Sequence, residues 1–114
     1  MSAITTHVLD ISRGRPASGV AVTLERETTD GGWQEIGKGA TDPDGRARDL
    51  LSDDYVLSEG IYRLTFATGA YFAAQEIESF YREVVIAFSV NDPAQHYHVP
   101  LLLSPFGYST YRGN

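Results

Sequence analysis

Histidines 96 and 98 stand two residues apart in the apolar run His96-Tyr97-His98-Val99-Pro100-Leu101-Leu102-Leu103, which has the composition of a strand. Residues i and i+2 of a strand project to the same side, so the two imidazoles share a face. Each titrates near neutrality and can exchange protons at working pH. Two ionisable rings on one face cost desolvation unless something uses or satisfies them; the alternative is a solvated strand face. His7 lies in a second strand-like run, Thr6 to Ile11, alternating with Leu9 and Ile11. A lone histidine on such a face is more often structural than catalytic. Three imidazoles with an open position also make a catalytic zinc site. No carboxylate or further ligand stands at useful spacing beside these three, so no metal is expected.

Other groups have matching chemistry. Arg46 directly follows the turn Thr41-Asp42-Pro43-Asp44-Gly45, and a guanidinium there offers a fixed fork of donors for a planar carbonyl or an anion. Arg48 competes for that role, and a solvated turn arginine is the commoner case. In Tyr108-Ser109-Thr110-Tyr111-Arg112 the period of two puts Ser109 and Tyr111 on one face and Thr110 and Arg112 on the other. Strands this poor in apolar residues are solvated edges or places where subunits meet.

The rest of the chain must position these groups, and it reads as short strands. Gly19 to Arg26 alternates, with Val20, Val22 and Leu24 on one face. Thr29-Asp30-Gly31-Gly32 is a hairpin signal, after which Trp33 to Ala40 returns antiparallel. Arg13-Gly14-Arg15-Pro16 and Thr41 to Arg46 read as turns. Ile61 to Ala67, Glu83 to Val90, Gln95 to Leu103 and Gly107 to Arg112 complete the strands. Ala70 to Glu78 is rich in helix formers and predicts one short helix. Seven or eight short strands with frequent turns indicate an all-β, two-sheet antiparallel sandwich. Residues 1–114 form one domain by length, with no repeat, linker or low-complexity stretch.

Composition excludes several partners. A net charge of -6 argues against nucleic acid. No run approaches the ~20 apolar residues of a membrane span, and no basic-then-apolar secretory leader opens the chain. With no peroxisomal address of the Ser-Lys-Leu kind, a cytoplasmic location is expected. Cysteine is absent, which rules out thiolate chemistry.

Thr6-His7-Val8-Leu9-Asp10, Gly14-Arg15-Pro16-Ala17, Thr41-Asp42-Pro43-Asp44-Gly45-Arg46, the Tyr71-Phe72 and Phe80-Tyr81 region and, most specifically, His96 to Gly113 resemble the 5-hydroxyisourate hydrolases, the transthyretin-related enzymes of urate breakdown. The resemblance spans essentially the whole chain. Thyroid-hormone-carrying transthyretins share that fold and lack the terminal Tyr-Arg-Gly-Ser tetrapeptide, which here reads Tyr111-Arg112-Gly113-Asn114.

The resemblance implies a transthyretin-like β-sandwich assembled as a homotetramer, a dimer of dimers with a central channel. It implies a purine-derived small-molecule substrate and no cofactor. By the same likeness His7, Arg46 and His98 are catalytic, Tyr111 plugs the channel, and His7, Arg46, Tyr111, Ser109, Arg112 and Asn114 contact substrate; His96 has no assigned role. The implied reaction is water attack on a ring amide of 5-hydroxyisourate, with the histidines taking the proton and Arg46 holding the carbonyl. Asn114 departs from the pattern, because an amide cannot pass a proton along as a serine hydroxyl can. If the terminal hydroxyl relays protons, the Asn-ended chain is slower; if the tetrapeptide only shapes the channel, Asn114 is tolerated. A carrier that binds an aromatic ligand without turnover uses the same fold, as does a plain interaction module, but neither needs two histidines and an arginine at these positions.

Overall fold

Alternation of apolar and polar residues builds one layer of the protein. The computed structural model describes residues 2–114. Strands β3 (Ala21–Glu27) and β6 (Gly60–Phe66) turn Val22, Leu24, Tyr62, Leu64 and Phe66 inward, each essentially without solvent contact. Burying side chains of this size stabilises by about 1.5–3 kcal/mol each. They pair antiparallel, with β4 (Trp33–Ala40) outside β3 and β7 (Val84–Val90) outside β6, giving the order β4-β3-β6-β7.

The second layer is built around β1 (Ile4–Asp10) and β8 (Tyr97–Ser104). The order is β2-β1-β8-β9, where β2 is Arg15–Pro16 and β9 is Gly107–Thr110; β5, Arg46–Ala47, also pairs with β1. Ile4, Val8, Leu101 and Leu103 face the opposing sheet and join the core. Thr5, His7 and Leu9 alternate to the outer face, matched across the ladder by His98, Pro100 and Leu102.

Three features depart from the sequence expectation. First, β1 and β8 run parallel, so the sandwich is antiparallel only in its other pairings. Second, β2 and β5 lie inside segments expected to be turns. They share one edge of β1: Asp10 opposes Arg15 and His7 opposes Arg46, while Val8 between them gives its N–H to Gly45 and takes that of Ala17. A two-residue strand has no periodicity of its own; the neighbouring long strand creates it. Third, the helix α1 is Thr68–Ala73, not Ala70–Glu78. Glu76 takes a left-handed conformation, φ 58°, and the N–H groups of Glu76 and Ile77 close back on Ala73 and Phe72 in a left-handed cap. Local propensity for Gln75 to Glu78 loses to Phe72, which must stay buried between the elements α1 connects.

Candidate active site

Arg46 owes its place to the preceding turn. Asp42 Oδ1 accepts the N–H groups of Asp44 at 2.9 Å and Arg46 at 3.0 Å, and the Asp42 N–H donates to the Arg46 carbonyl. The Arg46 and Asp44 N–H groups hold the Asp42 carboxyl below its ordinary pKa. Gly45 sits at φ 78°, and a Cβ there would lie 2.4 Å from the Val8 carbonyl oxygen. Only glycine allows this approach of the turn to β1. Arg46 is thereby set opposite His7 on the outer face.

The parallel ladder adds the second imidazole. Thr5 pairs with His98 and lies on the same face as His7, two residues along β1. Thr5 Oγ1 is 2.8 Å from His98 Nδ1 and 3.1 Å from Nε2 of His96, whose ring stacks on that of His98 with centroids 6.4 Å apart. Burial lowers the pKa of His7, and the Arg46 guanidinium lowers it further, against the opposing pull of Asp42 and Asp44. Burial, Arg46, His96 and His7 all lower that of His98. Both rings therefore favour the free base at neutral pH, beside the Arg46 guanidinium.

An open cleft of about 270 Å³ collects Thr5, Arg46, Arg48, His96, His98 and Asn114. Its last member is brought there by the segment after β9. The register that pairs Leu102 with Ser109 resumes at His98 with Gly113, whose N–H donates to the His98 carbonyl at 2.8 Å. Between them Pro100, which has no N–H, opposes Tyr111 and interrupts the ladder, and its carbonyl takes the Thr110 hydroxyl instead. Gly113 is packed onto the site: a Cβ there would lie 2.7 Å from His98 Cδ2 and 3.1 Å from the Pro100 ring.

The remaining expected residues lie around this cleft rather than in it. His7 flanks it on β1, beside Arg46. Tyr111 is exposed and lines a second cleft of about 250 Å³ on the other side of His98, with Ile86 and Phe88 of β7. Ser109 faces outward opposite Leu102 and lines neither cleft. The Arg112 guanidinium lies 4.6 Å over the Tyr97 ring and donates to Gln95 Oε1, so its charge is engaged away from Arg46. A larger cleft, about 590 Å³, lies elsewhere, between β2 and α1, and no histidine lines it. Among the described residues no set of three or more His, Asp or Glu side chains is arranged to hold a metal ion. Thr5 escaped the sequence reading; nothing marks it until the parallel register sets it against His98.

Known proteins share this arrangement of chain. The HIUase/Transthyretin family model matches residues 4–113. A probable 5-hydroxyisourate hydrolase of Caenorhabditis elegans is 48% identical over 113 residues, covering 99% of this chain and 82% of the relative. A 5-hydroxyisourate hydrolase of Caulobacter vibrioides is 47% identical over the full length of both. Among solved structures, 5-hydroxyisourate hydrolase of Klebsiella pneumoniae superposes with a TM-score of 0.84 at 39% identity, covering 97% of this chain and 92% of that one. Sea bream transthyretin in complex with thyroxine gives a TM-score of 0.91 at 34% identity, covering 98% and 95%. A full-length family match and identities near one half leave one assignment: the chain is a member of the HIUase/transthyretin family.

Proposed function

We propose that this chain hydrolyses 5-hydroxyisourate to 2-oxo-4-hydroxy-4-carboxy-5-ureidoimidazoline in urate degradation. The observation that carries the reading is the placement of two imidazoles, His7 and His98, beside the Arg46 guanidinium on one sheet face, where burial and Arg46 lower the pKa of both. Water is a sufficient nucleophile for an electron-poor ring amide once it is oriented and partly deprotonated. His98 takes the proton of the attacking water with His7 orienting it, and Arg46 draws negative charge off the carbonyl as the tetrahedral intermediate forms. The protonated imidazole then gives its proton to the departing ring nitrogen. No metal or organic cofactor enters this scheme. Asn114, which lines this cleft, and Tyr111 and Arg112, which line the cleft beside His98, are assigned as substrate contacts; Ser109 lines neither.

The same reading includes a homotetramer. In support, β7 and β9 are each outermost in their sheets, and the face that carries the histidines also presents Leu9, Pro100 and Leu102, with Phe106 exposed at the turn into β9. A second copy set against that face would bury it and close the open cleft into a channel. No described helix is long and apolar enough to cross a membrane, and the cytoplasm is the compartment we assign.

The test follows ultraviolet decay of 5-hydroxyisourate generated in situ from urate. Acceleration over the spontaneous decay is expected; its absence would leave a carrier of small aromatic ligands as the better reading. Gly113→Ala should report how tightly the site is packed. The added methyl drives the His98 ring aside, so kcat should fall by up to about 10²-fold while the thermal unfolding midpoint hardly moves. Unchanged kcat would mean that the ring tolerates the shift.

A further inference from the structure

Thr5 and His96 have no part in the scheme above, yet the Thr5 hydroxyl bridges His96 to the base, His98. We propose that Thr5 and His96 are positioning residues that fix the tautomer of His98, keeping its proton on Nδ1 and leaving Nε2 bare toward the cleft. The inference rests on the hydrolytic reading of that cleft.

The argument is one of proton counting. Thr5 is 5% exposed, and its hydroxyl meets two imidazole nitrogens, His98 Nδ1 at 2.8 Å and His96 Nε2 at 3.1 Å. A hydroxyl carries a single proton, so it donates to one ring and accepts from the other. When His96 Nε2 accepts, the hydroxyl's lone pairs face His98, whose Nδ1 must be the donor. Its Nε2 is then unprotonated and can take a proton from water. In the reverse arrangement His96 Nε2–H donates, the hydroxyl turns to His98 Nδ1, and the His98 proton sits on Nε2, where it blocks the base.

Two things favour the first arrangement. Arg46 lies in the same cleft, and a guanidinium there prefers a lone pair to an N–H on the remaining His98 nitrogen. Catalysis also selects it: as Nε2 gains the water's proton, the Nδ1–H of the imidazolium already points into the Thr5 oxygen, so charge develops against an acceptor in place. The near-parallel stacking of the two rings, 18° between planes, leaves little freedom to rotate out of this geometry.

Ring-nitrogen NMR of the intact protein at pH 8 tests the idea without any turnover. His98 is expected as the Nδ1–H tautomer, and a dominant Nε2–H form would overturn the proposal. Thr5→Val keeps the shape and removes the hydroxyl, while H96L leaves the hydroxyl proton free to point at His98 Nδ1. Each should shift His98 toward Nε2–H and lower kcat by roughly tenfold, with KM within about twofold of the parent because ground-state contacts are kept. Thr5→Ser should restore both tautomer and kcat. Variants that keep the parent's tautomer and kcat would also overturn it. An inactive parent would end the hydrolytic reading by itself, whereas the NMR result on the parent judges the tautomer in either case, so the two failures are distinguishable.

Discussion

His98→Asn lowers kcat by about 10²–10⁴-fold, the usual contribution of a well-placed general base, while the protein folds and unfolds as the parent does. Asparagine still offers a polar group to Thr5 and is small enough for this half-buried position, so the sheet is spared; what it cannot do is accept a proton. The pH profile gives an independent check. In the parent, burial and the surrounding positive groups hold both imidazoles below the ordinary histidine value of 6.5. The active form is the free base, so the rate stays flat through neutrality. It falls only as pH drops below 6.5 and protons bind. In the variant the part of this acid limb that belongs to His98 disappears. Stopped-flow rates across pH 5 to 8 (~0.5-unit steps) measure it, and a variant with near-normal turnover would remove His98 from the mechanism.

Arg46→Gln is expected to cost about 10²–10³-fold in kcat, the loss typical of a preorganised donor at a developing oxyanion. The turn should survive, because Asp42 grips the backbone N–H of Arg46 and not its side chain. The substitution also has an electrostatic signature that a folding defect would not produce. The Arg46 charge disfavours imidazolium at both His7 and His98, so removing it raises both pKa values, while burial, the largest cause, still lowers them. Proton NMR titration of the two rings reads this directly. Unmoved titration curves would show that the guanidinium does not act on the imidazoles.

Much of this molecule was legible in the chain before any coordinates. The alternation of Val22 and Leu24, and of Leu64 and Phe66, marked the inner face of one sheet, and the span Trp33–Ala40 coincides with its strand. The side-by-side display of His96 and His98 followed from the period of two. What could not be read depends on long-range pairing. Nothing local says that β1 and β8 are parallel, and without that register Thr5 is an ordinary strand threonine. Arg15–Pro16 and Arg46 read as turn residues because two-residue strands carry no period of their own; their ladder bonds are imposed by β1. Tyr111 and Arg112 were expected to flank substrate on the strength of a motif. The ladder break at Pro100, which no local pattern announces, lets Tyr111 to Asn114 fan out to different surroundings, with Arg112 over Tyr97 and Asn114 in the cleft.

The parallel pairing of β1 with β8 also bears on how the protein is made. Thr5 and His98 are separated by 93 positions, and contacts of such sequence distance form slowly because the intervening chain must be gathered first. During synthesis β1 therefore waits, with one edge unsatisfied, until β8 has emerged from the ribosome. His98 cannot meet His7 and Arg46 in any partial product that lacks β8, and the bond from Thr5 to His98 becomes a faithful signal that β8 has found β1.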